Sequence, residues 1–241
     1  MSKYFLFFLL FFSVQELSAQ GILDKVKTAV QSVSGNSSKL SNEEIIGGLK
    51  EALQLGADSS VKKLGAADGF FKSAALKILM PPEAQKAEST LRKFGMGSLV
   101  DKAILSMNRA AEDAASGVGS IFADAIRQMT IADGLQILKG GDTAATAYLK
   151  QSTTSPLTAK MKPIIDQSLS KVNATSHWKD VFSAYNKLTR SNVNTDLSGY
   201  VTGKAMDGIF YSIAQEEKKI RKDPAGQASA LIQKVFGKNQ Q

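Results

Sequence analysis

The amino-acid sequence predicts an all-α protein: a single compact multi-helix domain that follows a cleaved signal peptide. Three observations support this prediction. Apolar residues recur at intervals of three and four over most of the 241 residues, which is the spacing of one helix face. Sustained alternation of apolar and polar residues, the pattern of a half-buried strand, is almost absent. A short, strongly apolar run follows a lysine at the N terminus.

The N-terminal segment has the layout of a secretory signal peptide. Lys3 provides a positive start, residues 4–12 are apolar, and the small residue Ala19 precedes Gln20 at the predicted cleavage position. The apolar run is well short of the ~20 residues that cross a bilayer. We therefore predict cleavage and export rather than a transmembrane anchor.

This assignment divides the chain into three parts. Residues 1–19 are the predicted signal peptide, residues 20–40 a mobile N-terminal arm, and residues 41–237 the helical domain. No stretch within the last part is rich enough in Gly, Ser or Pro to separate two domains.

Capping residues predict where several helices begin. Ser41 with Glu44 forms a capping box, in which each side chain bonds a free backbone amide of the first turn. Further caps are predicted at Ser98, Thr130, Asp142 and Ser176. Pro163 lies within an apolar helical pattern, where it predicts a kink or a restart.

The Cys and His counts exclude several kinds of site. The chain has no Cys and a single His, His177. Without thiols it has no disulfide, no thiolate zinc site and no Cys nucleophile. No Gly-x-Ser-x-Gly elbow, Walker loop or dinucleotide fingerprint occurs. The sequence therefore predicts no catalytic residue, no metal site and no cofactor.

The charge of the chain is positive and uneven. Its formal net charge is +8 at pH 7, and residues 139–191 hold eight Lys or Arg against three Asp. Such a stretch can bind anionic partners such as lipid headgroups or lipopolysaccharide. A dispersed basic surface that aids solubility is the interpretation we favour. We expect no specific nucleic-acid binding.

Five polar residues form the candidate binding site: Asn108, Arg109, Glu112, Asp124 and Arg127. The first three lie on one predicted helix, where Arg109 also stands four residues before Asp113, and the last two lie three apart on the next helix. If these helices pack antiparallel across their short Gly-rich joint, the two sets should meet. They would then form a polar pocket for a small anion or peptide end, or a salt-bridge network between helices, which we favour.

Several stretches of the chain together resemble one bacterial family, the domain of unknown function 4197. They are residues 48–53, 105–114, 124–130, 140–148, 200–210, 216–224 and 235–237. The resemblance implies a helical domain and a periplasmic location in a Gram-negative bacterium. It supplies no activity and no catalytic residues.

Our leading hypothesis is a non-enzymatic periplasmic protein that binds an anionic envelope component or another periplasmic protein. It rests on the scatter of the acid, base and nucleophile candidates, which do not pair along the sequence. One alternative is an enzyme that uses carboxylate and Arg chemistry around Arg109, Asp124 and Arg127. Another is binding to anionic surfaces through residues 139–191.

The signal peptide leads to a direct prediction. Protein isolated from the envelope fraction should have an intact mass that lacks residues 1–19, because cleavage after Ala19 releases the apolar run. Intact-mass spectrometry measures this. A full-length species embedded in the membrane would contradict it.

Overall fold

The computed structural model describes residues 40–171, 173–190, 196–227 and 229–237. Over these residues the chain is all α, with no strand. Its helices are α1 (Asn42–Leu64), α2 (Gln85–Lys93), α3 (Gly97–Ser116), α4 (Gly119–Gln128), α5 (Ile131–Lys139), α6 (Ala144–Lys171), α7 (Ala174–Thr189), α8 (Leu197–Lys222) and α9 (Ala230–Gly237). One turn of 3-10 helix, Pro82–Ala84, precedes α2.

The predicted fold class is confirmed, because these helices pack as one compact unit that begins at Leu40. The predicted signal peptide, with its cleavage between Ala19 and Gln20, lies outside the described residues. So does the predicted arm, except for Leu40 at its end.

The predicted capping box at Ser41 and the predicted cap at Thr130 are confirmed. At the start of α1 the Ser41 hydroxyl accepts the Glu44 amide at 3.1 Å, and the Glu44 carboxylate accepts the Ser41 amide at 2.9 Å. Thr130 and Asp133 make the same exchange at the start of α5. Each box satisfies backbone donors that have no partner within their own helix.

Two other predictions about helix starts are wrong. Helix α3 begins at Gly97, so Ser98 lies inside it, and its first turn has no side-chain cap. Helix α7 begins at Ala174, two residues before Ser176. At Pro163 helix α6 does not restart: it continues through this residue, and Met161 and Ile165 on either side are fully buried, so packing holds both halves in place.

The two longest helices, α6 and α8, form the centre of the domain. They run antiparallel: Thr146 meets Glu217 at one end, and Lys162 meets Ser198 at the other. Helix α3 packs against both of them, α1 packs against α8, α7 covers α3, and α9 covers α1. The apolar residues of α3 that recur at intervals of three and four form its inward stripe, from Val100 to Ala114, and they are buried as that spacing predicts.

The segment 65–80, between α1 and the 3-10 turn, inserts an aromatic side chain into this core. Phe70 is fully buried against α8 at Gly208. A Cβ atom at Gly208 would lie 2.5 Å from the Phe70 ring, which is closer than packed atoms approach. The Phe70 ring therefore fits against α8 because Gly208 has no side chain.

This close approach predicts opposite effects for two glycines of α8. Gly208→Ala should lower the free energy of unfolding by about 1–3 kcal/mol, because the added methyl overpacks the core. Gly203→Ala is the matched control, since open space surrounds Gly203, and it should raise stability by up to about 1 kcal/mol. Urea unfolding measures both. Equal effects at the two positions would contradict the packing argument.

Candidate functional site

Asn108, the first predicted site residue, is fully buried in α3 and bonded to the segment 65–80. Its side-chain oxygen accepts the Ile78 amide at 2.9 Å, and its side-chain nitrogen donates to the Ile78 carbonyl at 2.8 Å. The same nitrogen donates to the Ile104 carbonyl at 2.7 Å. Asn108 therefore exchanges two hydrogen bonds with the backbone of Ile78, as a residue of a neighbouring β-strand would. Its buried amide oxygen and nitrogen are both bonded to backbone groups and are not available to a ligand.

Glu112 and Arg109 hold the other end of the same segment. One carboxylate oxygen of Glu112 accepts the Phe70 and Phe71 amides, both at 3.1 Å. The other accepts Arg109 Nη1 at 2.6 Å, and Arg109 Nη2 donates to Asp68 at 2.7 Å. Hydrogen bonds from Lys72 and then from Arg109 lower the pKa of Asp68. Arg109 thus pairs with Glu112 and Asp68 rather than with Asp113.

Asp124 and Arg127 lie apart from this group on the surface of α4. Their side chains are 58% and 75% exposed and form an ion pair of 2.8 Å with each other. No hydrogen bond or ion pair of the described residues joins them to Arg109. The predicted meeting of the two polar sets is wrong, because the α3 side chains face the segment 65–80 instead of α4.

A second buried carboxylate, Glu217 on α8, caps the N terminus of α6. Its Oε1 accepts the Ala145 amide at 3.0 Å, and its Oε2 accepts the Thr146 amide at 2.8 Å and the Thr146 hydroxyl at 2.7 Å. Asp142 was predicted to be this cap. It is exposed, and the side chain from a distant helix takes the amides instead.

Arg221 extends this cap to the end of α5. Its Nη2 lies 2.9 Å from Glu217 Oε1, and the same nitrogen donates to the Ile137 carbonyl at 3.0 Å. The guanidinium also lies 5.6 Å from the centre of the Phe236 ring on α9. Through one ion pair, α8 therefore holds the last turn of α5 and the first turn of α6.

A cleft of about 720 Å³ opens between the two helix ends that this ion pair holds. It is lined by Asp133, Gln136, Ile137, Gly140, Ala144, Ala147, Tyr148, Gln151 and Ser152. A cleft of this size, with several polar groups that converge on it, is the usual form of a small-molecule site. None of the five residues predicted as a site lines it.

Two titratable side chains of the cleft have shifted pKa values. Hydrogen bonds from the Thr130 hydroxyl and amide lower the pKa of Asp133, so it keeps its charge in mildly acidic solution. Burial, and then the nearby charge of Asp133, raise the pKa of Tyr148, so its phenol stays protonated. Gln136, Gln151 and Ser152 add neutral donors and acceptors.

The segments that build this cleft lie within the part of the chain that matches a known protein family. The family model described as Protein of unknown function (DUF4197) matches residues 39–237. The chain belongs to this family. No curated protein and no solved structure matches it. Two stretches that carried the resemblance meet here: residues 140–148 supply Gly140, Ala144, Ala147 and Tyr148 to the lining, and residues 216–224 supply Glu217 and Arg221.

The residues of this cleft were not predicted as a site from the sequence, although two family-like stretches contain some of them. Tyr148 lies in one family-like stretch and Glu217 in another, but no local pattern joins positions so far apart. Gln136 and Gln151 carried no signal, because neutral amides on a helix surface are common.

A hydrogen-bonded Ser–His pair lies elsewhere, between α3 and α7. Ser106 Oγ is 3.0 Å from His177 Nδ1 and donates its hydrogen to the Lys102 carbonyl at 2.7 Å. The serine is 4% exposed, so a substrate could not reach its oxygen. This geometry is that of a helix contact rather than of an activated nucleophile.

The described residues contain neither a group of side chains suited to a metal ion nor a membrane-spanning helix. No three or more His, Asp or Glu side chains there are grouped so that they could hold a metal ion. Nor does that part of the chain contain a helix long and apolar enough to span a bilayer.

The polar contacts of α3 and α4 predict unequal effects for two arginines. Arg109→Met should lower the free energy of unfolding by about 1–3 kcal/mol, because it removes a charged partner from a buried carboxylate that keeps its two amide bonds. Arg127→Met should cost well under ~1 kcal/mol, because its ion pair is exposed.

Urea unfolding of both variants without ligand measures this difference. An Arg109→Met variant as stable as the parent would contradict the structural role of Arg109. It would return that residue to consideration as part of a ligand site, where like charges repel until an anion binds.

Proposed function

We propose that this protein is an exported, non-enzymatic binding protein that takes a small polar molecule in the cleft between α5 and α6. The observation that carries the proposal is the cleft of about 720 Å³ whose two walls are joined by the buried Glu217–Arg221 pair. A site held in this way needs little reorganisation when its ligand enters, which favours binding.

The Glu217–Arg221 pair explains why the walls stay in place. Glu217 is 6% exposed and accepts two successive backbone amides of α6. Arg221 donates to the Ile137 carbonyl in the last turn of α5. The turn between the helices contains Gly140 and Gly141 and would be pliable by itself. Contacts from α8 therefore supply the rigidity that the turn lacks.

The chemistry of the cleft favours binding over catalysis. General acid–base catalysis uses titratable groups placed on opposite sides of a reacting bond. The cleft has one carboxylate, that of Asp133, and it already bonds Thr130 as a helix cap. Around Arg109 the guanidinium is engaged by Glu112 and Asp68, which leaves the enzyme alternative without a free Arg at that position.

Export to the Gram-negative periplasm is part of the proposal. It is supported by the signal-peptide layout of residues 1–19 and by the family resemblance. Seven of the eight basic residues of 139–191 lie on three helices, α5, α6 and α7, and Arg190 follows the end of α7. Lys162 among them pairs with Asp166. This spread favours a solvated basic surface over one docking face.

The proposal predicts that filling the cleft abolishes binding. Ala147 lines the cleft and is exposed, so Ala147→Trp should occupy the space without disturbing the core. Ala159→Trp on the same helix is the matched control, because that residue is exposed and lies outside the cleft. The measurement is native mass spectrometry of each protein purified gently from the envelope of its host.

We expect a non-covalent small-molecule adduct on the parent and on Ala159→Trp, and none on Ala147→Trp. An adduct that survives in Ala147→Trp would place the ligand elsewhere. Absence of an adduct from the parent, even when it is supplied with the small-molecule fraction of the same envelope, would count against a binding function.

A further inference from the structure

The charge of the cleft is opposite to that of the chain. The formal net charge of the protein is +8, yet the described residues that line the cleft include one Asp and no Lys, Arg or His. An anion entering the cleft would meet the carboxylate of Asp133 and no basic side chain in the lining. A cationic group would meet a complementary charge.

Asp133 has no cationic partner among the described residues. Its Oδ2 accepts both hydrogen bonds from Thr130, the amide at 3.0 Å and the hydroxyl at 2.7 Å. These bonds come from neutral groups, and within the described part of the chain this side chain makes no other hydrogen bond and no ion pair. Its negative charge is therefore stabilised but not neutralised, and Oδ1 remains an acceptor.

The neighbours of Asp133 suit a ligand with many hydroxyl groups. Tyr148 offers a phenol hydrogen and a ring face, which can contact a cation or the C–H face of a sugar. Gln136 and Gln151 each offer a donor and an acceptor. Ser152 donates its hydrogen to the Tyr148 carbonyl at 2.9 Å, so its oxygen is left as an acceptor.

We infer that the cleft binds a small polyhydroxy compound bearing an ammonium group, of which an amino sugar is the simplest member, with Asp133 contacting the ammonium group. This inference rests on the proposed function, since it names the ligand class of the same cleft. An apolar ligand fits poorly, because it would remove the amides and the carboxylate from water without replacing their hydrogen bonds.

Three sugars of one ring size separate charge from shape. Glucosamine carries an ammonium group, glucose is neutral and glucuronate is an anion. Titration of the protein with each sugar, followed by the NMR amide signals of Tyr148 and Gln151, gives three dissociation constants for one site. Glucosamine should bind at least about fivefold more tightly than glucose, because an ion pair at ~4 Å is worth ~1 kcal/mol even in water. Glucuronate should bind most weakly.

Two variants then test Asp133 itself. Asp133→Asn keeps an oxygen for the Thr130 bonds and removes the charge, so the preference for glucosamine over glucose should fall to within about twofold. Asp142→Asn changes the net charge equally at an exposed residue of the turn between α5 and α6, outside the lining, and should keep the preference. Circular dichroism checks that the total helix content of both variants matches that of the parent.

The outcomes separate this inference from the proposed function. Equal binding of glucose and glucosamine, or an Asp133→Asn variant that keeps the preference, would overturn the ammonium contact while leaving the cleft as a binding site. No signal change with any of the three sugars would overturn the amino-sugar class. The proposed function would still be judged separately, by the native-mass adduct and its loss in Ala147→Trp.

Discussion

A carboxylate buried between helices is stable only when its oxygens meet donors, and Glu217 meets them at the N terminus of α6. The first amides of a helix have no partner within it, so the same contact satisfies both sides. Arg221 neutralises the charge and reaches back to α5 at Ile137. The position of both cleft walls, and hence the whole candidate site, depends on this one arrangement.

The domain uses the same device twice. Glu112 on α3, like Glu217 on α8, accepts two consecutive backbone amides from a segment distant in sequence, and each is paired with an Arg of its own helix. At Glu112 the device secures the segment 65–80, whose Phe70 fills the core beside Gly208. At Glu217 it secures a turn that borders open space. The chemistry of the two contacts is alike, and the difference lies in what each one positions.

The electrostatics of the molecule separate its surface from its cleft. The surface carries the positive charge of many exposed Lys side chains, which favours solubility and general attraction of anions. The cleft carries the charge of Asp133 and the neutral groups of Tyr148 and two Gln side chains. A ligand chosen by the cleft therefore differs in charge from partners that the surface would attract.

The amino-acid sequence by itself determined the all-α class, the capping box at Ser41, the cap at Thr130 and the inward stripe of α3. Each of these depends on residues within one or two helical turns of one another, so a local pattern encodes them. Only the tertiary structure decided that Glu217 rather than Asp142 caps α6, and that Arg109 faces a loop instead of α4. Those contacts join residues about 40 to 70 positions apart, and their energy comes from burial and from unpaired backbone donors that no short stretch of sequence displays.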